Sequence, residues 1–196
     1  MSFFKRITFV CALAATLAFA AFATNPIPAS EYEKLDSLIV NGTWTSLSEA
    51  PTDRAIYMFH LRSCPFCKAF LRAEKTALLN AGVDIRVFPF PGGNVDADII
   101  AHLAFTRDKE LMDRYDRNQP IQAPDIDSSQ EYIDAFNANR NAYLFASDIL
   151  KRQGQFSGTP LFVYQDRDGK WQAIAGYSEE RFAPVKADLL RPLQPN

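Results

Sequence analysis

The chain has few of the residues that build metal centres and disulfide frameworks. Its 196 residues include three cysteines (Cys11, Cys64 and Cys67) and two histidines (His60 and His102). A common structural zinc site needs four such ligands at paired spacings, and a disulfide scaffold needs several cysteines spread along a short chain. The composition therefore excludes a disulfide-framework protein. It leaves one Cys-x-x-Cys pair as the main chemical feature.

The sequence also lacks a block of basic residues. Lys and Arg number 21 against 23 Asp and Glu, for a formal charge of −2. Proteins that follow a phosphate backbone carry clustered basic side chains. We therefore expect no nucleic acid partner. The chain shows neither an internal repeat nor a low-complexity tract.

The first 23 residues have the pattern of a secretory signal peptide. Two basic residues precede an uncharged apolar run from Ile7 to Ala20, and residues 21–23 read Ala-Phe-Ala, a small-x-small cleavage site. Cleavage would remove Cys11, leaving the Cys-x-x-Cys pair in an exported chain with no stable membrane insertion. An uncleaved membrane anchor is the competing interpretation, because the apolar run is close to spanning length.

The Cys-x-x-Cys pair lies between a strand pattern and a helix pattern. Residues 55–61 are mostly apolar and rich in Ile, Tyr, Met and Phe, which is typical of a buried strand. Pro65 occupies a first helical position, where its missing N–H has no consequence, and the predicted helix ends at Gly82. A second strand is predicted over 83–90. This order predicts a βαβ unit with a right-handed crossover.

The remaining patterns complete an α/β fold with one central sheet and helices on both faces. We expect a lead with a short helix over 24–50, followed by one domain over 51–196. Within that domain we predict a helical insertion over about 94–155, hairpin strands over 161–164 and 171–175, and a last helix over about 179–190.

Cys64 is the predicted nucleophile. It directly precedes a helix, where free N–H groups and the positive end of the helix dipole favour a thiolate. Cys67 lies one turn further and is expected to be more buried. Cys64 would attack a substrate disulfide, and Cys67 would then attack Cys64 to release the reduced substrate. Pro65 and Phe66 carry no side-chain donor or positive charge, so thiolate stabilisation must come mainly from the helix end.

Several segments resemble the catalytic domain of the bacterial periplasmic disulfide isomerases DsbC and DsbG, which has a thioredoxin fold. The resemblance covers about residues 55–190 and rests on 59–67, 83–92, 156–163 and Gly176 with Tyr177. It implies that Thr159 and a cis Pro160 face the dithiol and present backbone to a substrate strand. Phe66 would add an apolar contact to the substrate.

The resemblance also implies a location and partners. The protein would work in the periplasm on exported cysteine-containing proteins, exchange electrons with a membrane thiol–disulfide partner, and need no cofactor beyond the Cys64–Cys67 disulfide. Two features depart from the family. Residues 24–49 are too short for its dimerisation domain, and Met58 replaces the buried acid that many thioredoxins carry six positions before the first cysteine.

These observations leave more than one function open. An isomerase or reductase of protein disulfides is the first hypothesis, and an oxidase of exported thiols is the alternative. A third hypothesis is a binding module, in which the dithiol is a metal ligand or a structural clip. His60 could then bind the metal together with the two thiolates. We expect no metal, because a second Cys-x-x-Cys pair is absent.

Overall fold

The computed structural model describes residues 25–40, 42–90, 96–123 and 129–191. The predicted signal peptide lies outside these ranges, as do residues 94–95 at the start of the predicted insertion. The strands are β1 (Asn25–Pro26), β2 (Thr45–Ser46), β3 (Ala55–His60), β4 (Asp84–Pro89), β5 (Leu161–Gln165) and β6 (Trp171–Ala175). The helices are α1 (Tyr32–Val40), α2 (Pro65–Asn80), α3 (Ala97–Thr106), α4 (Lys109–Asp116), α5 (Gln130–Arg152) and α6 (Glu179–Leu190).

The strands form one sheet in the order β1-β6-β5-β3-β4-β2. Strand β3 pairs parallel with β4, with Met58 opposite Val87, and antiparallel with β5 on its other side. Helix α2 connects the parallel pair, which confirms the predicted βαβ unit. Strands β5 and β6 form the predicted hairpin, and Gly169 in its turn has a φ of +72°, which glycine adopts without steric cost.

Side chains alternate between the two faces of β3 and so build two cores. Ile56 and Met58 lie in a cluster with the buried faces of α2 and α6, whereas Tyr57 and Phe59 lie in a second cluster with α1 and α5. All six residues of β3 are buried, as expected for a central strand covered on both sides. The predicted α/β architecture with helices on both faces is confirmed.

Residues that we expected as a lead contribute to the same sheet. Asn25 and Pro26 pair antiparallel with β6, and Thr45 and Ser46 pair antiparallel with β4. Each pairing adds a strand of two residues to one edge of the sheet. Two residues are too few to show the alternation of apolar and polar side chains that predicts a strand. Within the described ranges, no helix is both long and apolar enough to span a bilayer.

The described part of the predicted insertion contains α3, α4 and α5. Asp108 caps α4, because its carboxylate accepts the N–H groups of Glu110 and Leu111 at 2.7 and 3.1 Å. Met112 and Tyr115 of α4 join the core on the α2 face, whereas the buried residues of α5 face the other core. The insertion therefore contacts the side of the sheet that carries the dithiol.

Candidate active site

The Cys-x-x-Cys pair begins helix α2, as predicted. Cys64 is the N-cap in an extended conformation (φ −76°, ψ 113°), and Pro65 is the first helical residue. The Cys64 sulfur accepts the backbone N–H of Cys67 at 3.2 Å, and the Cys64 N–H donates to the Leu61 carbonyl at 2.9 Å. The sulfur therefore occupies the position where a helix N-terminus stabilises negative charge.

The two sulfurs differ in exposure. Cys64 is 6% exposed and Cys67 is fully buried, and both are free thiols. Cys64 is thus more buried than its position at a helix N-terminus suggests. A reaction partner can reach only the small part of the residue that is exposed to solvent. Pro65 is exposed beside it, and Phe66 is 55% exposed.

Thr159 and Pro160 lie across from the dithiol. The peptide bond between them is cis, and the carbonyl oxygen of Thr159 is 3.3 Å from the Cys64 sulfur. Pro160 is buried, and its own carbonyl accepts the Gly176 N–H at 2.7 Å. The structure therefore brings together Cys64, Cys67, Thr159 and Pro160, with Phe66 at the edge.

The surroundings of Cys67 keep its proton in place. Burial raises the pKa of the Cys67 thiol well above that of free cysteine, and the hydrogen bond with Cys64 raises it further. The Leu61 backbone and the Thr159 side chain lower this pKa by smaller amounts.

The His60 side chain contacts a carboxylate of α4. Its side chain is fully buried, and Nε2 lies 3.0 Å from Asp116 Oδ1 at the end of α4. Within the described residues, no group of three or more Cys, His, Asp and Glu side chains is arranged to hold a metal ion. His60 instead lines a cavity of about 110 Å³ between β3, α2 and α4, together with Leu71 and Met112.

Helix α2 also carries a buried carboxylate that was not predicted. Glu74 is 4% exposed, accepts the Tyr177 hydroxyl at 3.1 Å, and lies 2.7 Å from the Lys186 ammonium. It lies seven positions after Cys67 on the buried face of α2, so helical periodicity could have identified it. Met58, where thioredoxins carry their acid, is fully buried among apolar side chains.

A second exposed aromatic residue near the site was also missed. Phe156 is 63% exposed, and a Cβ added to Gly158 would lie 2.7 Å from its ring. The ring therefore covers the backbone immediately before Thr159. Its only sequence signal is an apolar residue next to a Ser-Gly pair, which is too common to be informative.

Comparison with known proteins identifies the fold. Neither a protein-family model nor a curated protein sequence matches the chain. A linker-deletion mutant of ScsC from Proteus mirabilis superposes with a TM-score of 0.51 at 16% identity, over 82% of this chain and 81% of that one. A periplasmic thioredoxin-like protein from Salmonella enterica serovar Typhimurium superposes with a TM-score of 0.50 at 14% identity, over 80% of this chain and 96% of that one. The protein has a thioredoxin-like fold.

Proposed function

We propose that the protein is a thiol–disulfide oxidoreductase that works through Cys64 and Cys67. One observation carries this proposal: the Cys64 sulfur caps a helix, accepts the Cys67 N–H at 3.2 Å, and faces the Thr159 carbonyl at 3.3 Å beside cis Pro160. The helix start supplies donors to a thiolate, and the facing backbone supplies a place for a substrate chain. Both are needed for disulfide exchange with another protein.

The reaction proceeds in two exchanges. The Cys64 thiolate attacks one sulfur of a substrate disulfide, forming a mixed disulfide and releasing the other substrate sulfur as a thiolate. Cys67 then loses its proton to water, and its thiolate attacks the Cys64 sulfur. The Cys64–Cys67 disulfide forms and the second substrate thiolate leaves, so the substrate gains the two electrons that the protein loses. The same steps run backwards when the protein oxidises a dithiol.

The substrate is an exported protein in an extended or unfolded state. The Thr159 carbonyl offers a backbone acceptor to a strand that lies along the residues before β5. Phe66 offers an apolar surface within the Cys-x-x-Cys segment. Pro65 supports this arrangement because it begins α2 without leaving an unpaired N–H.

We further propose a periplasmic protein that acts as an isomerase or reductase, similar to the DsbC and DsbG catalytic domain. The predicted signal peptide and the Cys-x-x-Cys chemistry support export to an oxidising compartment. A membrane redox partner would keep Cys64 reduced for this work. The oxidase alternative requires a membrane oxidant instead, and the protein needs no dissociable cofactor in either direction.

The test is insulin reduction and refolding of scrambled ribonuclease by the reduced protein. Cys64→Ser should abolish both activities, whereas Ser63→Ala, a change at the exposed neighbouring residue, should leave them intact. Titration against glutathione then gives the reduction potential of the Cys64–Cys67 couple, which indicates the direction of the physiological reaction. A strongly oxidising potential supports the oxidase, and a low potential supports the reductase. A wild-type protein without turnover that retains a metal ion through dialysis would contradict the proposal and favour a binding module.

A further inference from the structure

The insertion holds the short loop that leads into the active site. Arg62, two residues before Cys64, directs its guanidinium to Asp96 at 3.1 Å and to the Gln119 carbonyl at 2.8 Å. The same guanidinium lies 5.6 Å from the centre of the Tyr115 ring. One residue before the loop, His60 contacts Asp116. The loop is therefore attached at several points to the start of α3, to α4 and to Gln119 beyond the end of α4.

One contact reaches the backbone of the loop. The Tyr115 hydroxyl accepts the Arg62 N–H at 3.1 Å. This N–H belongs to the same peptide group as the Leu61 carbonyl, which accepts the Cys64 N–H at 2.9 Å. Because a peptide group is planar and rigid, its two hydrogen bonds fix one another. The orientation of this single group therefore links Tyr115 to Cys64.

The Tyr115 hydroxyl also contacts the residue that follows β4. The His60 carbonyl accepts the Phe90 N–H at 2.9 Å, and the Tyr115 hydroxyl donates to the Phe90 carbonyl at 3.5 Å. The Phe90 N–H and the Phe90 carbonyl belong to two different peptide groups, so His60 and Tyr115 contact the same residue from two sides. Tyr115 thus joins the loop before Cys64 to the residue that follows β4.

A packing role does not explain the hydroxyl of Tyr115. The residue is fully buried, and a buried hydroxyl is unfavourable unless its hydrogen bonds are satisfied. Phenylalanine would provide the same contacts with His60, whose ring centre is 5.5 Å away, and with the core. The two hydrogen bonds of the hydroxyl are what tyrosine adds.

We propose that Tyr115 is a positioning residue for the dithiol, through which the helical insertion sets the reactivity of Cys64. The inference rests on the proposed thiol–disulfide function. With the Leu61–Arg62 peptide group held, the Cys64 N–H is paired and the first turn of α2 keeps its donors directed at the sulfur. Without the hydroxyl, the peptide group can rotate and the thiolate loses part of this stabilisation.

The test is Tyr115→Phe, with Tyr143→Phe as the matched control. Tyr143 also lies in the predicted insertion, but its ring packs on the rings of Phe59 and Phe90 and its hydroxyl pairs with Ser147, so the change leaves the contacts of the Leu61–Arg62 peptide group in place. Two quantities are measured: the rate of Cys64 alkylation against pH, with the labelled residue identified by mass spectrometry, and the equilibrium constant with glutathione. Tyr115→Phe should reduce the alkylation rate at pH 7 by about three- to tenfold, as expected for one ordinary hydrogen bond. It should shift the equilibrium toward the disulfide by a similar factor, and Tyr143→Phe should change neither.

A second variant keeps the test valid if Tyr115→Phe folds poorly. Asp96→Asn weakens the hold on Arg62 from a half-exposed position, and it should shift both quantities in the same direction by a smaller factor. Wild-type values in both variants, even with lower stability, would overturn the inference and leave the proposed function standing. A wild-type dithiol that does not exchange with glutathione would overturn the proposed function itself.

Discussion

The sulfur of Cys64 and the carbonyl oxygen of Thr159 lie 3.3 Å apart, although 95 positions separate the two residues in the chain. In the reduced protein the thiol donates to this oxygen. A thiolate at the same place would face the negative end of the carbonyl dipole, while the Cys67 N–H and the start of α2 attract it. The Cys64 sulfur therefore has one acceptor and one donor within hydrogen-bond distance, and they come from two segments that are far apart in the chain.

Loss of the second cysteine should trap the first exchange. Cys67→Ser leaves Cys64 able to attack, but removes the thiolate that would release the bound substrate, so mixed disulfides should accumulate. Serine also fits the buried site of Cys67 without added volume. Non-reducing gels of the reduced variant mixed with scrambled ribonuclease, which contains disulfides, would show the adduct. An equal amount of adduct in the Cys64→Ser variant, which keeps Cys67, would contradict this assignment.

The stability of the reduced protein should decrease in alkaline solution. Burial raises the pKa of Cys67 in the folded state above its unfolded value of about 8.5. Below that pH both states keep the proton. Above it the unfolded state binds fewer protons, so the free energy of unfolding falls with a slope of up to about 1.4 kcal/mol per pH unit.

Urea unfolding at pH 7.5 and pH 9.5 measures this effect. Because other groups also titrate in alkaline solution, the comparison is with Cys67→Ala, which lacks the thiol. The wild type should lose more stability than the variant between the two pH values. Parallel behaviour of the two proteins would mean that Cys67 is not held as a thiol.

Lys186 should stabilise the fold through Glu74. Lys186→Met leaves the buried carboxylate with the Tyr177 hydroxyl alone, and we expect a loss of about 1–3 kcal/mol, moderated by the partial exposure of the lysine. Adding Glu74→Gln should recover part of this loss. Chemical denaturation measures both, with the exposed Lys151→Met as control. If Lys186→Met were as stable as Lys151→Met, the ion pair between Lys186 and Glu74 would contribute nothing to stability.

Gly158 should be coupled to Phe156. A Cβ at position 158 would lie 2.7 Å from the Phe156 ring, but the ring is 63% exposed and can move outward. Gly158→Ala should therefore cost only about 1 kcal/mol or less of unfolding free energy, and almost nothing in a Phe156→Ala background. A double-mutant cycle by chemical denaturation measures the coupling. Equal costs in the two backgrounds would show that the ring does not cover the glycine.

Local patterns predicted the central part of the fold. Pro65 begins α2 and Gly82, with a φ of +74°, follows its end, because both residues have backbone preferences that act over a few positions. The buried strand β3 and the hairpin β5–β6 followed from apolar runs and turn residues for the same reason. The two-residue strands β1 and β2 carry no such periodicity, so their place in the sheet was not predicted.

In the candidate site, too, local patterns predicted some features and the packing of distant segments decided others. The sequence by itself determined that two thiols stand three positions apart at a helix start, and resemblance to a known family added Thr159 and Pro160. Only the tertiary structure decided that Tyr115 holds the Arg62 N–H and that Glu74 meets Lys186. Those contacts join residues far apart in the chain, and they exist because separate helices pack on one face of the sheet, which no local pattern encodes.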